Sequence, residues 1–179
     1  HDAIELLEQR LRDLDEDEDG LPYLFRIGSL YEDSAEDNEG ALETYQRILA
    51  REAGHPDAMA GAERLLEAEE RWEELNAQLA YRKSHLKDSS DGAAIDLLRA
   101  QLCETILEDG EQALQLYCAA IGDAACRGEA YEGLRRIFVE HSYGEALGLE
   151  PVRVADTLEP YAREEGDQGT LVEILELRR

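Results

Sequence analysis

The stretch Leu24-Phe25-Arg26-Ile27-Gly28-Ser29-Leu30-Tyr31, followed by Ala41-Leu42-Glu43-Thr44-Tyr45-Gln46-Arg47-Ile48 and closed by His55-Pro56, decides how this chain folds. Its apolar residues recur three and four apart, which puts one apolar stripe on each of two helices. Gly28 lets the two backbones come close, and Tyr31 and Tyr45 wedge the space between them. Pro56 opens the next helix in its first turn, where a missing N–H costs nothing. The pattern predicts an antiparallel helical hairpin, with helices over 21–34 and 39–52.

Working outward, the same grammar repeats. A second hairpin starts at Pro56 with Ala58, Gly61, Ala62, Leu65 and Leu66, turns near Glu70, and continues with Trp72, Leu75, Leu79 and Leu86. Ser89, Ser90, Asp91 and Gly92 punctuate the chain, and Asp91 suits an N-cap. Helices over 92–107 (Ile95, Leu98, Leu102, Ile106) and 110–122 (Ala113, Leu114, Tyr117, Ile121) follow. A single offset lays Ala41-Leu42 on Ala113-Leu114, Tyr45 on Tyr117, Ala58 on Ala130, Gly61 on Gly133 and Arg64 on Arg136. An internal duplication of two hairpins is the simplest account. Ile4, Leu7, Leu11 and Leu14 form the closing half of an earlier unit. Leu75 and Leu79 fall on Leu171 and Leu175 only at a shift of 96, implying about 24 residues inserted after His141. The insert opens a helix at Pro151 and should bend it near 156–160, where Pro160 lies inside. The expected organisation is one helical-repeat domain over 1–179, with units 1–14, 21–52, 55–87, 91–122 and an irregular 127–179, cut at both ends from a longer array.

These positions resemble the tetratricopeptide-repeat (TPR) family. The resemblance implies an all-α fold of antiparallel helical hairpins stacked as a right-handed solenoid, in which the first helix of each hairpin lines a concave groove for partner proteins. Aligned on Leu24, Ala58, Ile95 and Ala130, the groove positions are Phe25 and Ser29, Met59 and Glu63, Asp96 and Arg99, and Tyr131 and Arg135. Phe25, Met59 and Tyr131 are large residues beside the stripe and would form a discontinuous apolar track. Two departures stand out: Leu65 replaces the aromatic of Tyr31, and Arg99 stands as the counterpart of Gly28. Family members that grip acidic chaperone tails use Lys and Asn in the groove. This chain does not, so such a tail is not its expected partner.

Forty-three acidic residues against eighteen basic ones give a net charge of −25. That surface repels phosphate backbones, so neither nucleic acid nor an anionic membrane is an expected partner, and a basic protein or peptide is. Sixteen of the bases are Arg and only Lys83 and Lys87 are Lys, a bias that fits a GC-rich bacterial genome. Cys103, Cys118 and Cys126 form no Cys-x-x-Cys pair and suit burial as small apolar side chains in a reducing, cytoplasmic setting. No apolar run is long enough to span a bilayer.

One stretch carries metal-like spacing. Asp15, Asp17 and Asp19 alternate before Gly20, as at the start of a calcium loop, but the twelfth position, where a bidentate Glu should close the site, is Arg26. No His pair has ligand spacing, no glycine-rich phosphate loop occurs and no nucleophile stands with a base. The sequence therefore points to a non-catalytic binding scaffold without cofactor. End-to-end self-association through terminal helices is the alternative, and calcium binding by loop 15–20 a remote one.

Overall fold

In the computed structural model, residues 2–14, 19–86, 89–140 and 142–179 are described, and they fall into two compact units, His1–His85 and Leu86–Arg179. Among the described residues all regular structure is helical. The first unit holds α1 (Asp2–Arg12), α2 (Leu21–Leu30), a π turn (Tyr31–Ala35), α3 (Asn38–Arg51), α4 (Pro56–Ala68) and α5 (Trp72–Ser84). The second holds α6 (Ser89–Thr105), α7 (Gly110–Ala120), α8 (Arg127–Val139), a 3₁₀ turn (Ser142–Leu147), α9 (Pro151–Glu165) and α10 (Gln168–Leu177).

Successive helices within each unit pack side by side in opposite directions. Gly20 sits against Arg51, Gly28 against Thr44 and Tyr45, and Gly40 against Tyr31, so residue numbers fall along α2 as they rise along α3. Gly61 against Tyr45, with Asn38 bonded to Glu69, pairs α3 with α4 in the same sense. The apolar stripes meet between the helices: Leu24, Ile27 and Ile48 are fully buried in the first unit, and Tyr117, Leu134, Ile137, Phe138 and Leu158 in the second. At about 1.5–3 kcal/mol for each fully buried large side chain, these faces supply the main drive to fold.

The duplication extends to the turns. Glu36 (φ 51°) and Glu108 (φ 53°) are left-handed without being glycine. Each lets the following aspartate reach back: the Asp37 amide donates to the Tyr31 carbonyl at 3.0 Å and the Asp109 amide to that of Cys103 at 2.9 Å. The two aspartates then cap the next helix, accepting from the Gly40 and Gln112 amides at 3.0 Å. These bonds satisfy donors and carbonyls that helix ends leave open, and they hold each hairpin closed.

Several expectations need correction. Helix α6 begins at Ser89, so Asp91 lies in its first turn and does not cap it. Of the expected stripe Ile95 and Leu102 are buried, but Leu98 and Ile106 are 51% and 45% exposed; Ala93, Asp96, Leu97, Ala100, Cys103 and Glu104 complete the buried face. The register that takes Tyr45 to Tyr117 holds through α6, so Ala100, with no exposed surface, is the counterpart of Gly28, and Arg99 is not. Anchoring on Ile95 moved the stripe by one residue, which turns a helix by about 100°. At the other end Leu175 is exposed while Thr170 and Ile174 are buried, so the burial of Leu75 and Leu79 repeats at a shift of 95, not 96. Leu86 lies beyond α5. Pro160 does lie inside α9, which starts at Pro151 as the sequence indicates.

The close approach of α8 to α7 gives a direct test. A Cβ at Gly133 would collide with the Tyr117 ring, whereas one at Gly128 meets nothing within 4 Å. Urea unfolding should show Gly133→Ala destabilised by about 1–3 kcal/mol through overpacking. Gly128→Ala, on the same helix, should be stabilised by about 0.5–1 kcal/mol.

Candidate functional site

The most deeply built polar cluster sits at the end of α6. Glu104 has a side chain with no exposed surface. Burying a carboxylate costs several kcal/mol unless its oxygens are fully matched. Here they are: Tyr117 Oη on α7 donates to Oε2 at 2.5 Å, and Arg136 on α8 donates from Nε to Oε1 and from Nη2 to Oε2, both at 2.7 Å. Arg136 Nη2 also reaches the Tyr117 oxygen at 3.0 Å. Burial, then the Glu104 carboxylate, raises the Tyr117 phenol far above its ordinary range. One carboxylate thus fastens three consecutive helices.

The first unit repeats the cluster in looser form, at the offset that takes Tyr117 back to Tyr45. Tyr45 Oη donates to Glu32, and Arg64 Nη2 lies 2.6 Å from Glu32 Oε2. Arg64 is 59% exposed against 35% for Arg136, and Glu32 retains 15%. Burial and the Glu32 carboxylate push the Tyr45 phenol up to about 12. The overlay of Tyr45 on Tyr117 and of Arg64 on Arg136 was readable in the sequence. The glutamates that join them, Glu32 and Glu104, stand at the same spacing in the sequence.

Contacts within each unit engage several of the residues expected to line a groove. In the first, Phe25 is half-buried with its ring 4.8 Å from that of His55, and Ser29 Oγ donates to the Phe25 carbonyl at 3.0 Å. His55, Met59 and Glu63 follow at four-residue intervals, on one face of α4 and its N-cap. Glu63 lies 2.6 Å from Arg82 of α5, yet burial raises its carboxyl above the usual range, and its Oε1 has no hydrogen-bond partner. In the second unit Asp96 is buried and Arg99 half-buried. Tyr131 Oη donates to Asp167 Oδ2 at 2.9 Å, and Arg135 Nε lies 3.3 Å from the same oxygen.

Asp167 also caps α10, accepting from the Thr170 amide at 3.0 Å and its hydroxyl at 2.7 Å. Those two bonds, with that from Tyr131, hold its carboxyl down at about 2. Met59 and Tyr131 are 5% and 6% exposed. Their burial corrects the expectation of an apolar track through all three large residues: only Phe25 stays partly open.

Of the calcium-loop residues, Asp15 and Asp17 lie outside the described residues. Asp19 is exposed, and its Oδ1 accepts from the Leu21 amide at 2.9 Å. Among the described residues no group of three or more His, Cys, Asp or Glu side chains is placed to hold a metal ion, and no helix is long and apolar enough to cross a membrane. The three cysteines are free thiols, two buried and one partly so. Burial raises each of them, Cys103 to about 11, so none is poised as a thiolate near neutral pH. No protein-family model, curated protein or solved structure matches the chain.

The two clusters predict unequal losses. Arg136→Ala leaves Glu104 buried and uncompensated and should cost about 3–5 kcal/mol in urea unfolding. Arg64→Ala, at the more exposed copy, should cost about 1 kcal/mol or less. Equal losses would mean that burial does not set the strength of the cluster.

Proposed function

We propose that the chain is a non-catalytic helical-repeat scaffold, its hairpins stacked as a TPR-like right-handed solenoid, that binds a protein or peptide through an acidic face. The observation that carries this reading is the Glu–Tyr–Arg cluster, which recurs at the spacing of the duplication, each copy tying a helix pair to the helix that follows. Such bonding makes each hairpin dependent on its neighbour, which is the logic of a repeat stack. The candidate contact positions are Phe25, Ser29, Met59, Glu63, Asp96, Arg99, Tyr131 and Arg135, with Met59 and Tyr131 supporting from beneath.

Charge favours a basic partner. Most arginines are engaged by the chain's own acids, among them Arg47 with Glu8, Arg71 with Glu39 and Glu74, Arg82 with Glu63, Arg127 with Glu164 and Glu165, Arg153 with Glu111, and Arg178 with Asp156 and Glu159. The acids outnumber the bases, and the excess remains to attract cations over roughly a Debye length.

Selection of short random peptides on the immobilised full chain should enrich Arg- or Lys-bearing sequences. Their affinity should fall by about tenfold or more between about 0.05 and 0.5 M salt, and should weaken in Phe25→Asp. No enrichment, or binding indifferent to both salt and Phe25→Asp, would reject the reading.

A second reading has its own observation. Leu6 on α1 is 67% exposed, and Val172 and Leu175 on α10 are 52% and 59% exposed. Apolar side chains this open suit self-association. Light scattering should then give a molar mass that grows with concentration and returns to the monomer value in Val172→Glu with Leu175→Glu. A monomer at every concentration would exclude it.

A further inference from the structure

Helices α1 and α10 carry nearly the same short segment and bury opposite sides of it. An offset of 168 lays Ile4-Glu5-Leu6-Leu7-Glu8 on Val172-Glu173-Ile174-Leu175-Glu176, and Arg10 on Arg178. In α1 the inward side carries Ile4 and Leu11, both buried, with Leu7 and Glu8 half-buried, while Leu6 is 67% exposed. In α10 the sides are exchanged. Ile174, the counterpart of Leu6, is 1% exposed, whereas Val172, Leu175 and Glu176, the counterparts of Ile4, Leu7 and Glu8, all stand exposed. The seat of α1 shows what the open side of α10 fits. Helix α1 packs on α2, and Arg47 of α3 donates to both Glu8 oxygens, from Nη1 to Oε1 at 2.5 Å and from Nη2 to Oε2 at 3.2 Å. Both segments are α-helical, so the three- and four-residue spacing that brings Ile4, Leu7 and Glu8 to one face does the same for Val172, Leu175 and Glu176.

We propose that the open face of α10 docks on a second copy of this chain, in the seat that α1 holds on α2 and α3: Val172 and Leu175 replace Ile4 and Leu7, and Glu176 replaces Glu8 on Arg47. A second copy is the occupant because the chain itself shows this segment bound at that seat, with the cation its glutamate needs. The contact is heterologous, so copies add in one direction. Helix α1 is the competitor. In its own seat it acts as an internal cap, favoured by the high effective concentration of a tethered segment. Arg179 stands where α1 has Leu11, so α10 covers less apolar surface, and α1 keeps the seat at low protein concentration. The exchange trades one similar face for another, which leaves the bond to Arg47 as the lever that tilts it. This inference deepens the self-association reading and rests on it.

The test uses the full chain, with molar mass followed by light scattering across protein concentration. Glu8→Arg sets two cations against each other, loosens α1 and leaves Arg47 to Glu176 of another copy. It should lower the concentration at which the mass begins to rise by about tenfold or more, the effect of one lost charge-assisted bond. Glu5→Arg makes the same change of net charge on the exposed side of α1 and should leave the wild-type curve where it is. Adding Glu176→Arg to Glu8→Arg should remove the gain, although it makes the chain less negative and so less self-repelling. Circular dichroism with the helix content retained verifies that the variants stay folded. A Glu8→Arg curve that matches the wild type or Glu5→Arg, or one that Glu176→Arg does not move, overturns the proposal and leaves self-association itself standing. Monomers at every concentration, in the wild type and Glu8→Arg alike, reject both.

Discussion

A buried carboxylate that must be neutralised is the constraint around which this fold is arranged. Glu104 sits where no water reaches it, at a point where α6, α7 and α8 converge. It is tolerable only if Tyr117 and Arg136 arrive together from two other helices. That requirement fixes relative height and rotation more sharply than apolar contact does, because a methyl group can slide by an ångström at little loss and a bidentate guanidinium cannot. The looser copy at Glu32, Tyr45 and Arg64 applies the same rule nearer to solvent, where it is worth less.

Much of this was legible in the sequence because duplication turns single residues into pairs. Tyr45 with Tyr117, Gly61 with Gly133 and Arg64 with Arg136 all sit at one spacing, and the structure places each pair at equivalent positions. Gly61 and Gly133 face the rings of Tyr45 and Tyr117 respectively, where a side chain would collide. The helical class, the turn at Glu70 and the start at Pro151 followed from local rules of spacing and capping. The face of α6 did not. Its buried side carries Asp96 and Glu104, polar residues that a search for an apolar stripe discards, and exposed Leu98 and Ile106 took their place.

The candidate contact residues were harder to read for a related reason. A large side chain beside an apolar stripe looks unpartnered when only its own helix is considered. Tyr131 meets its partner, Asp167, 36 residues away and across the inserted segment, beyond the reach of any local rule. Phe25 and His55 are joined by a ring contact between a helix and the cap of another, which spacing within either one does not encode.

The engagement of the arginines has an effect on how the sequence can drift. Most of them cross between helices, so losing one removes both a fastening and a positive charge from a chain already strongly negative. An exposed glutamate with no such duty can change at almost no cost to the fold. Under selection for the fold alone, the two signs of charge would age differently. The arginines would stay nearly fixed in place, while the acids would exchange freely among one another, leaving a surface whose charge persists though its individual residues do not.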